Sequence, residues 1–431
     1  MTTPLRIGIA GLGTVGLGVI RMLRDNADLV TSRAGRQIDV VAVSARDAQK
    51  NRGVDLSGVS WVTDARDMTE RADISAIVEV IGGEGGISLD LAHKSLASGK
   101  HLITANKAML AHHGTSLARL AEHHNVSVLC EAAVAGGIPI IKAFREGLAG
   151  NHIRALYGIL NGTCNYILTE MRLSDRSFKD VLAEAQTKGY AESDPSFDID
   201  GIDTGHKLCL LSSMAFGVMP QFSHMPITGI SHLTPSDIQY AGELGYRIKL
   251  LGMAKCHDGK VWQKVMPCLV PSSSTLGNVE GVYNAVFYET DFAGQGMMSG
   301  RGAGADPTAS AIVSDIIDLA QGKTRPLFGV SVDRLASASM IKPQEISSRF
   351  YMHLRVKDQA GVIAEISSIL KDHHISIESM IQRGRNPDQA VSVVMITHET
   401  NESDMASAYA KMARLSFMAS PPTQLMIKDI S

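Results

Sequence analysis

Through the first third of the chain, short aliphatic and β-branched runs alternate with stretches whose apolar positions recur at helical spacing. "LRIGIAG" leads into a helix from Val15 to about Arg24, and the strand "IDVVAVS" follows. "ISAIVEVIGG" precedes the helix "SLDLAHKSLAS", "HLITANK" precedes a helix over Ala108–His123, and "VSVLCEAAV" closes the set. Such alternation predicts a parallel sheet with helices on both faces. From about Ala132 to Gly300 the pattern is mixed. It gives a strand "RALYGIL", a helix after Gly162, a helix "SFKDVLAEAQTK" and a long helix through Phe216. Two antiparallel strands follow near Ile248–Lys255 and Val261–Val270, joined by "CHDGK".

"MSGRGAGADPTASAIVSDIIDLAQ" reads as a Gly-rich loop feeding a helix, with Pro307 harmless in the first turn. "GKTRPLF" to "KPQEISS" reads as a linker. The tail then gives strand "FYMHLRVKD", helix "GVIAEISSILKDHH", strand "ISIESMIQRGR" and turn "NPDQ". Strand "AVSVVMITHE", helix "SDMASAYAKMARL" and strand "TQLMIKDI" complete a βαββαβ, ferredoxin-like order.

Composition narrows the class. A chain of 431 residues suggests about three domains, and 45% hydrophobic with 20% charged residues is that of a globular protein. A net charge of −3 without a basic block points to neither nucleic acid nor an anionic membrane as partner. The five cysteines are scattered and never spaced as CxxC. They argue for a reducing compartment and against a disulfide framework or structural zinc. The start "MTTPLRIGIAGLG" lacks the basic region of a signal peptide, and no apolar run approaches a membrane span. The expected location is the cytoplasm.

"GIAGLGTVG" places Gly11, Gly13 and Gly16 as GxGxxG after a strand and at the head of a helix. Gly11 suits the tight turn, Gly13 the approach of a pyrophosphate, and Gly16 close helix packing; the helix N-terminus favours the negative charge. At the end of the second strand, Ser44 and Arg46 stand where an NAD-selective site would offer an acid. Arg46 can neutralise a 2′-phosphate, or it is a solvated loop residue. NADP is the expected coenzyme, with NAD use left open by Asp47. Lys107 ends a strand of the parallel sheet, where ligands bind in such folds. Cys164, at a helix start, is either a thiol nucleophile or a buried structural cysteine.

The stretch "YAESDPSFDIDGIDTGHKLCLL" (Tyr190–Leu211) concentrates carboxylates before one lysine. A calcium loop would need ligands at alternate positions and a closing glutamate, and the match fails. Asp198 and Asp200 lie near a helix start, where carboxylates suit the dipole. Asp203 and Lys207 are i and i+4, on one helical face and able to pair. This is either a charged helix entry or an acidic pocket beside a proton donor.

Taken together, "GLGTVG", "TANKAML", "EAAVAGGIPII", "GILNGTCNYIL", "YAESDP…DIDGIDTGHKL" and "GRGAGADPTASA" resemble homoserine dehydrogenases, in the family's order over roughly residues 5–320. The tail resembles an ACT regulatory domain, which makes the chain similar to the monofunctional form without an aspartate kinase. The resemblance implies a Rossmann-type domain over 1–131, completed by about 300–322, and an α+β substrate-binding, catalytic and dimerisation domain over 132–299. It also implies a linker over 323–348 and an ACT domain over 349–431.

The implied reaction is reversible NAD(P)H-dependent reduction of L-aspartate 4-semialdehyde to L-homoserine, on the route to threonine and methionine. Lys207 is implied as the general acid, Asp203 as its orienting and substrate-binding partner, and Glu192 with Asp198 as ligands of the substrate ammonium. Gly11, Gly13, Thr14, Val15, Gly16, Arg46, Lys107, Gly189 and Gly304 are implied as coenzyme contacts. Glu131, Val134, Gly136 and Ile138 match a structural monovalent cation (Na+) site. Ser193 and the bulky Phe197 are small departures from the family pattern.

In the tail, Asp358 and Gly361 lie between first strand and first helix, where an amino-acid effector is expected, threonine being the pathway end product. A purely structural or dimerising tail is the alternative, and a homodimer or homotetramer is expected. Cutting after about Gly322 is expected to leave a working dehydrogenase without a threonine response. Two rivals remain: an amino-acid sensor that has lost activity, and a semialdehyde-oxidising enzyme that uses Cys164.

Overall fold

The computed structural model describes residues 3–383 and 390–430. The "NPDQ" turn lies outside the described residues. Six parallel strands form the first sheet, in the order Ser60–Trp61, Ile38–Ser44, Leu5–Ala10, Ala76–Glu79, His101–Thr104 and Val128–Leu129. Strand order reverses beside Leu5–Ala10, which opens a crevice at the strands' carboxyl ends. The runs read as strands are short and apolar because both faces are covered; Ile7, Ile9, Ile77, Val78, Leu102 and Ile103 are fully buried.

The helix Thr14–Asp25 packs on Ala305–Ala320 from much later in the chain. Gly18 makes that approach possible, since a Cβ there would already touch Ala305 and Ala309. Arg21 and Asp306 bond across the same seam.

The second sheet runs through nine strands in line: Gln295–Arg301, Tyr283–Thr290, Ile153–Ile159, Tyr246–His257, Lys260–Pro271, Thr423–Ile427, Ser347–Lys357, Ala390–Thr397 and Ile377–Gln382. The hairpin Tyr246–His257/Lys260–Pro271 turns at Asp258 and Gly259, both at positive φ, which matches the strands' twist. The tail has the expected βαββαβ order, with helices Val362–Asp372 and Glu402–Met412. Its last strand continues the catalytic sheet through the parallel pairs Met426–Cys268 and Ile427–Leu269.

Among the elements that escaped the sequence reading are the helices Ala27–Ala34 and Pro235–Glu243 and the strands Tyr283–Thr290 and Gln295–Arg301. "MSGR", assigned to the Gly-rich loop, ends the last of these, because its backbone pairs with Tyr283–Thr290. The 323–348 stretch is no free linker. Leu327, Phe328, Val332 and Leu335 are buried in the core shared with the catalytic helices, and Ser339–Met340 pairs with Lys260–Val261. The tail is therefore held to the catalytic part both through its last strand and through the stretch that leads into it.

Candidate active site

The three glycines have three different surroundings. Gly11 has φ +108, and a Cβ on it would press on the Val80 carbonyl. A Cβ on Gly16 would collide with the Gly11 carbonyl oxygen. Gly13 has open space instead, and with Gly11 it lines a cleft of about 920 Å³. Thr14 and Val15 begin the helix that points its N-terminus there.

Arg46 lines the same cleft, at the far end from the glycines in sequence terms, together with Lys50 and Arg52. Those two cations were not singled out from sequence, because a loop of mixed charge gives no periodic signal. Arg52 is held over Trp61 at 5.2 Å, and the Asp47 carboxylate accepts the amides of Gln49 and Lys50. Asp47 is thus occupied within its own turn.

The acidic stretch folds as a short helix, Ser196–Ile199, followed at Gly201 (φ +86) by the helix Ile202–Phe216. That turn buries Asp203 and Lys207, whose Oδ2 and Nζ lie 2.7 Å apart. Nζ of Lys207 also donates to the Leu160 carbonyl at 2.7 Å. Lys107, first residue of the helix Lys107–His123, reaches the other Asp203 oxygen at 3.0 Å.

Asn161 completes the set. Its Nδ2 donates to Asp203 Oδ2 at 2.8 Å and to Asp198 Oδ1 at 2.7 Å, while its Oδ1 accepts the Cys164 amide and caps the helix Gly162–Ser174. In the sequence Asn161 looks like an ordinary N-cap before Gly162, and that signal says nothing of its two carboxylate partners.

Burial works against the Asp203 charge, yet the ammonium groups of Lys207 and Lys107 hold its carboxyl well below the usual range. Burial likewise opposes the charge on Lys107, but Asp203 raises its pKa overall. For Asp198, burial and then the Asp203 charge push the carboxyl up. Glu192 is exposed and shares no hydrogen bond with this cluster among the described residues, though its charge reaches Lys107. Phe197 stacks its ring 5.6 Å from the Lys107 ammonium, and His206 closes the same small cleft.

Other candidates fall elsewhere. Gly189 (φ +73) ends the helix Phe178–Thr187, and Gly304 (φ +117) starts Ala305–Ala320. Glu131, Val134, Gly136 and Ile138 lie in the loop after Val128–Leu129, where Gly136 packs on Gly302. Both carboxylate oxygens of Glu131 accept backbone amides, from Ile141 at 3.0 Å and Lys142 at 2.9 Å. Asp358 and Gly361 (φ +96) sit between Ser347–Lys357 and Val362–Asp372. Cys164 is buried with its Sγ 3.2 Å from the Asp198 carbonyl, and burial pushes the thiol well above its ordinary pKa. A protonated, enclosed thiol is no nucleophile, so the Cys164 reading is set aside. Among the described residues no group of three or more His, Cys, Asp and Glu forms a metal cluster, and no helix is long and apolar enough to cross a membrane.

Comparison with known proteins gives the family. Residues 139–317 match the homoserine dehydrogenase family, residues 11–131 its NAD-binding domain and residues 354–417 the ACT domain. A homoserine dehydrogenase of Neisseria gonorrhoeae is 42% identical over 99% of each chain. The crystal structure of a homoserine dehydrogenase from Thiobacillus denitrificans superposes with a TM-score of 0.93 at 41% identity, covering 100% of this chain and 99% of that one. A hyperthermophilic archaeal homoserine dehydrogenase in complex with NADPH has a TM-score of 0.64 at 27% identity, over 75% of this chain and 100% of its own. An oxidoreductase with an NAD-binding domain, a catalytic domain and an ACT tail, this chain belongs to the homoserine dehydrogenase family.

Proposed function

We propose that the protein interconverts L-aspartate 4-semialdehyde and L-homoserine with NADP(H), using Lys207 as its acid–base group. One arrangement carries the reading: a buried carboxylate, Asp203, clamped between two lysines, with Lys207 at 2.7 Å and Lys107 at 3.0 Å. The bound nicotinamide supplies or accepts the hydride. An ammonium has three N–H donors. Asp203 and Leu160 take two of those on Lys207, which leaves one for the substrate's carbonyl oxygen. As charge grows on that oxygen, Lys207 donates its proton to give the alcohol; in the reverse direction it takes the proton back. Asn161 and Lys107 fix Asp203, and Asp203 fixes Lys207.

Glu192 and Asp198 supply negative charge for the substrate's ammonium, beside Lys107. Steady-state oxidation of homoserine, followed by nicotinamide absorbance, tests the activity. Glu192→Gln is expected to raise the KM for homoserine with kcat largely kept, because it weakens recognition and spares the acid. An unchanged KM would move ammonium binding to another group. Such activity also separates an enzyme from a catalytically silent amino-acid sensor.

The NADP preference is supported by Arg46, Lys50 and Arg52 lining one cleft and by the NADPH held in the archaeal relative. Arg46→Ala is expected to weaken NADPH roughly tenfold or more, the worth of one charge-assisted hydrogen bond, with little effect on NADH. Equal losses for both coenzymes would remove Arg46 from 2′-phosphate recognition.

For the monovalent cation, the loop offers main-chain carbonyls, since the Glu131 carboxylate is taken up by backbone amides. Burial and the neighbouring Asp315 push the Glu131 carboxyl up to about 7, so a cation beside it would favour its ionised form. Glu131, Val134, Gly136 and Ile138 would hold such an ion for a structural purpose.

The tail is read as the effector domain of a cytoplasmic homodimer or homotetramer, with threonine as ligand at the Asp358–Gly361 loop. A helix N-terminus there suits an amino acid's carboxylate. Gly361→Asp is expected to abolish threonine inhibition and keep activity. Gly361→Asn, which tolerates the same positive φ without the charge, retains part of the response. If millimolar threonine leaves the unmodified protein unaffected, the tail has an assembly role only.

A further inference from the structure

A cavity of about 1020 Å³ belongs neither to the coenzyme cleft nor to the Asp203–Lys207 cluster. It opens at the seam where the tail joins the catalytic sheet. Arg154 and Lys255 line it from two catalytic strands, Trp262 from a third, and Lys428 from the tail. Lys428 directly follows the strand Thr423–Ile427, and its own amide donates to the Leu269 carbonyl at 2.9 Å.

Lys428 is only 8% exposed. Its ammonium donates to Ser348 Oγ at 3.2 Å and lies 5.6 Å from the centre of the Trp262 ring. Among the described residues no carboxylate comes within ion-pair distance of it. Burying a charge without a directly paired counter-charge is costly. Lys255 and Lys264 are near enough for their charges to act against that of Lys428, while Glu402, already paired with Lys264, acts in its favour.

The acids that line the cavity are largely engaged elsewhere. Glu345 holds Lys260 at 2.8 Å, Asp291 accepts the amides of His152 and Phe292, and Asp258 lies beside His257. Glu289 has no such partner among the described residues, and it too lies beyond ion-pair distance of Lys428. A roomy cavity thus holds a buried ammonium whose one hydrogen bond among the described residues goes to Ser348, with two further cations, Lys255 and Arg154, at its rim.

We propose that this cavity is a second anion site, which takes a small oxyanion, the phosphate or carboxylate group of a metabolite, on Lys428 with Lys255 and Arg154. The site is built half from the tail and half from the catalytic sheet, so its ligand bridges the two. Occupancy holds the last tail strand against Lys260–Pro271. This assignment does not depend on which effector the Asp358–Gly361 loop takes.

Trp262 gives a direct readout. The chain has two tryptophans, and Trp61→Phe leaves Trp262 as the sole emitter while silencing the one beside the coenzyme cleft. In that full-length background, inorganic phosphate and succinate are titrated separately at constant ionic strength, with chloride as control. The expected result is a saturable change in Trp262 emission with one or both anions. Lys428→Met is expected to weaken binding at least tenfold, and Lys255→Ala, on the exposed rim, several-fold. A response to phosphate alone assigns a phosphorylated ligand, and to succinate alone a carboxylate. A change no different from that with chloride, or equal affinity in the parent and both variants, overturns the proposal.

Discussion

Lys207→Ala is expected to lower kcat for homoserine oxidation by roughly 10²–10⁴, the range for removing a positioned acid–base group, and to leave the coenzyme dissociation constant unchanged. The reasoning is local. Lys207 is 8% exposed and its ammonium touches Asp203 and Leu160, none of which lines the glycine cleft. Truncation removes the proton donor and leaves the Asp203 carboxylate with Lys107 and Asn161, so the buried charge stays compensated and the fold survives. Lys207→Arg separates proton transfer from charge: it keeps the cation, but its proton is not released at neutral pH. Its kcat should fall nearly as far. Near-normal turnover in either variant would take Lys207 out of the proton-transfer step and leave Lys107 as the next candidate.

Which parts of this site were legible beforehand follows from the range of each interaction. The Asp203–Lys207 pair is one helical turn long, so spacing alone announces it. The glycines announce themselves because Gly11 and Gly16 are required by contacts within a single βα unit. Asn161 and Lys107, by contrast, approach Asp203 from 42 positions upstream and from the start of the helix Lys107–His123, and no local pattern encodes such meetings. Lys50 and Arg52 join Arg46 only because the loop after Ile38–Ser44 doubles back beside Trp61.

The fold divides in the same way. Alternation gave the parallel sheet because each βα unit is self-contained. Gln295–Arg301 was missed because "QGMMSGR" has two glycines and no β-branched residue, and becomes a strand only by pairing with Tyr283–Thr290. The helix Pro235–Glu243 was missed although Thr234 and Asp237 form a full capping box. Its buried Asp237 bonds His353 of the tail at 2.7 Å, a contact between distant parts of the chain that a polar helix face does not advertise.

That contact leads to the second large effect. Cutting the chain after Gly322, which from sequence alone removes a separable tail, is instead expected to yield a protein that does not fold to an active enzyme. One apolar cluster combines Tyr157, Leu251, Met253, Met266, Cys268 and Phe287 of the catalytic sheet with Phe350, Met352, Leu354 and Met426 of the tail. Removing the tail strips the cover from that face. At roughly 1.5–3 kcal/mol for each large apolar side chain, the loss is comparable with the ~5–15 kcal/mol that separates folded from unfolded states. The same cut takes away Leu327 and Phe328, which pack on the Lys107–His123 helix at Gly114, and leaves Asp237 without His353. It also frees the edge of Lys260–Pro271, an exposed apolar strand that invites aggregation. Expression of residues 1–322, with solubility, circular dichroism and homoserine oxidation measured beside the full chain, checks this. A soluble, cooperatively folding fragment with kcat within a few-fold of the full chain would show that the shared cluster contributes little. The tail would then be an appendage after all, and its regulatory role could be read by deletion. If the fragment aggregates, regulation has to be dissected by substitutions such as Gly361→Asp in the intact chain, where the catalytic sheet keeps its cover.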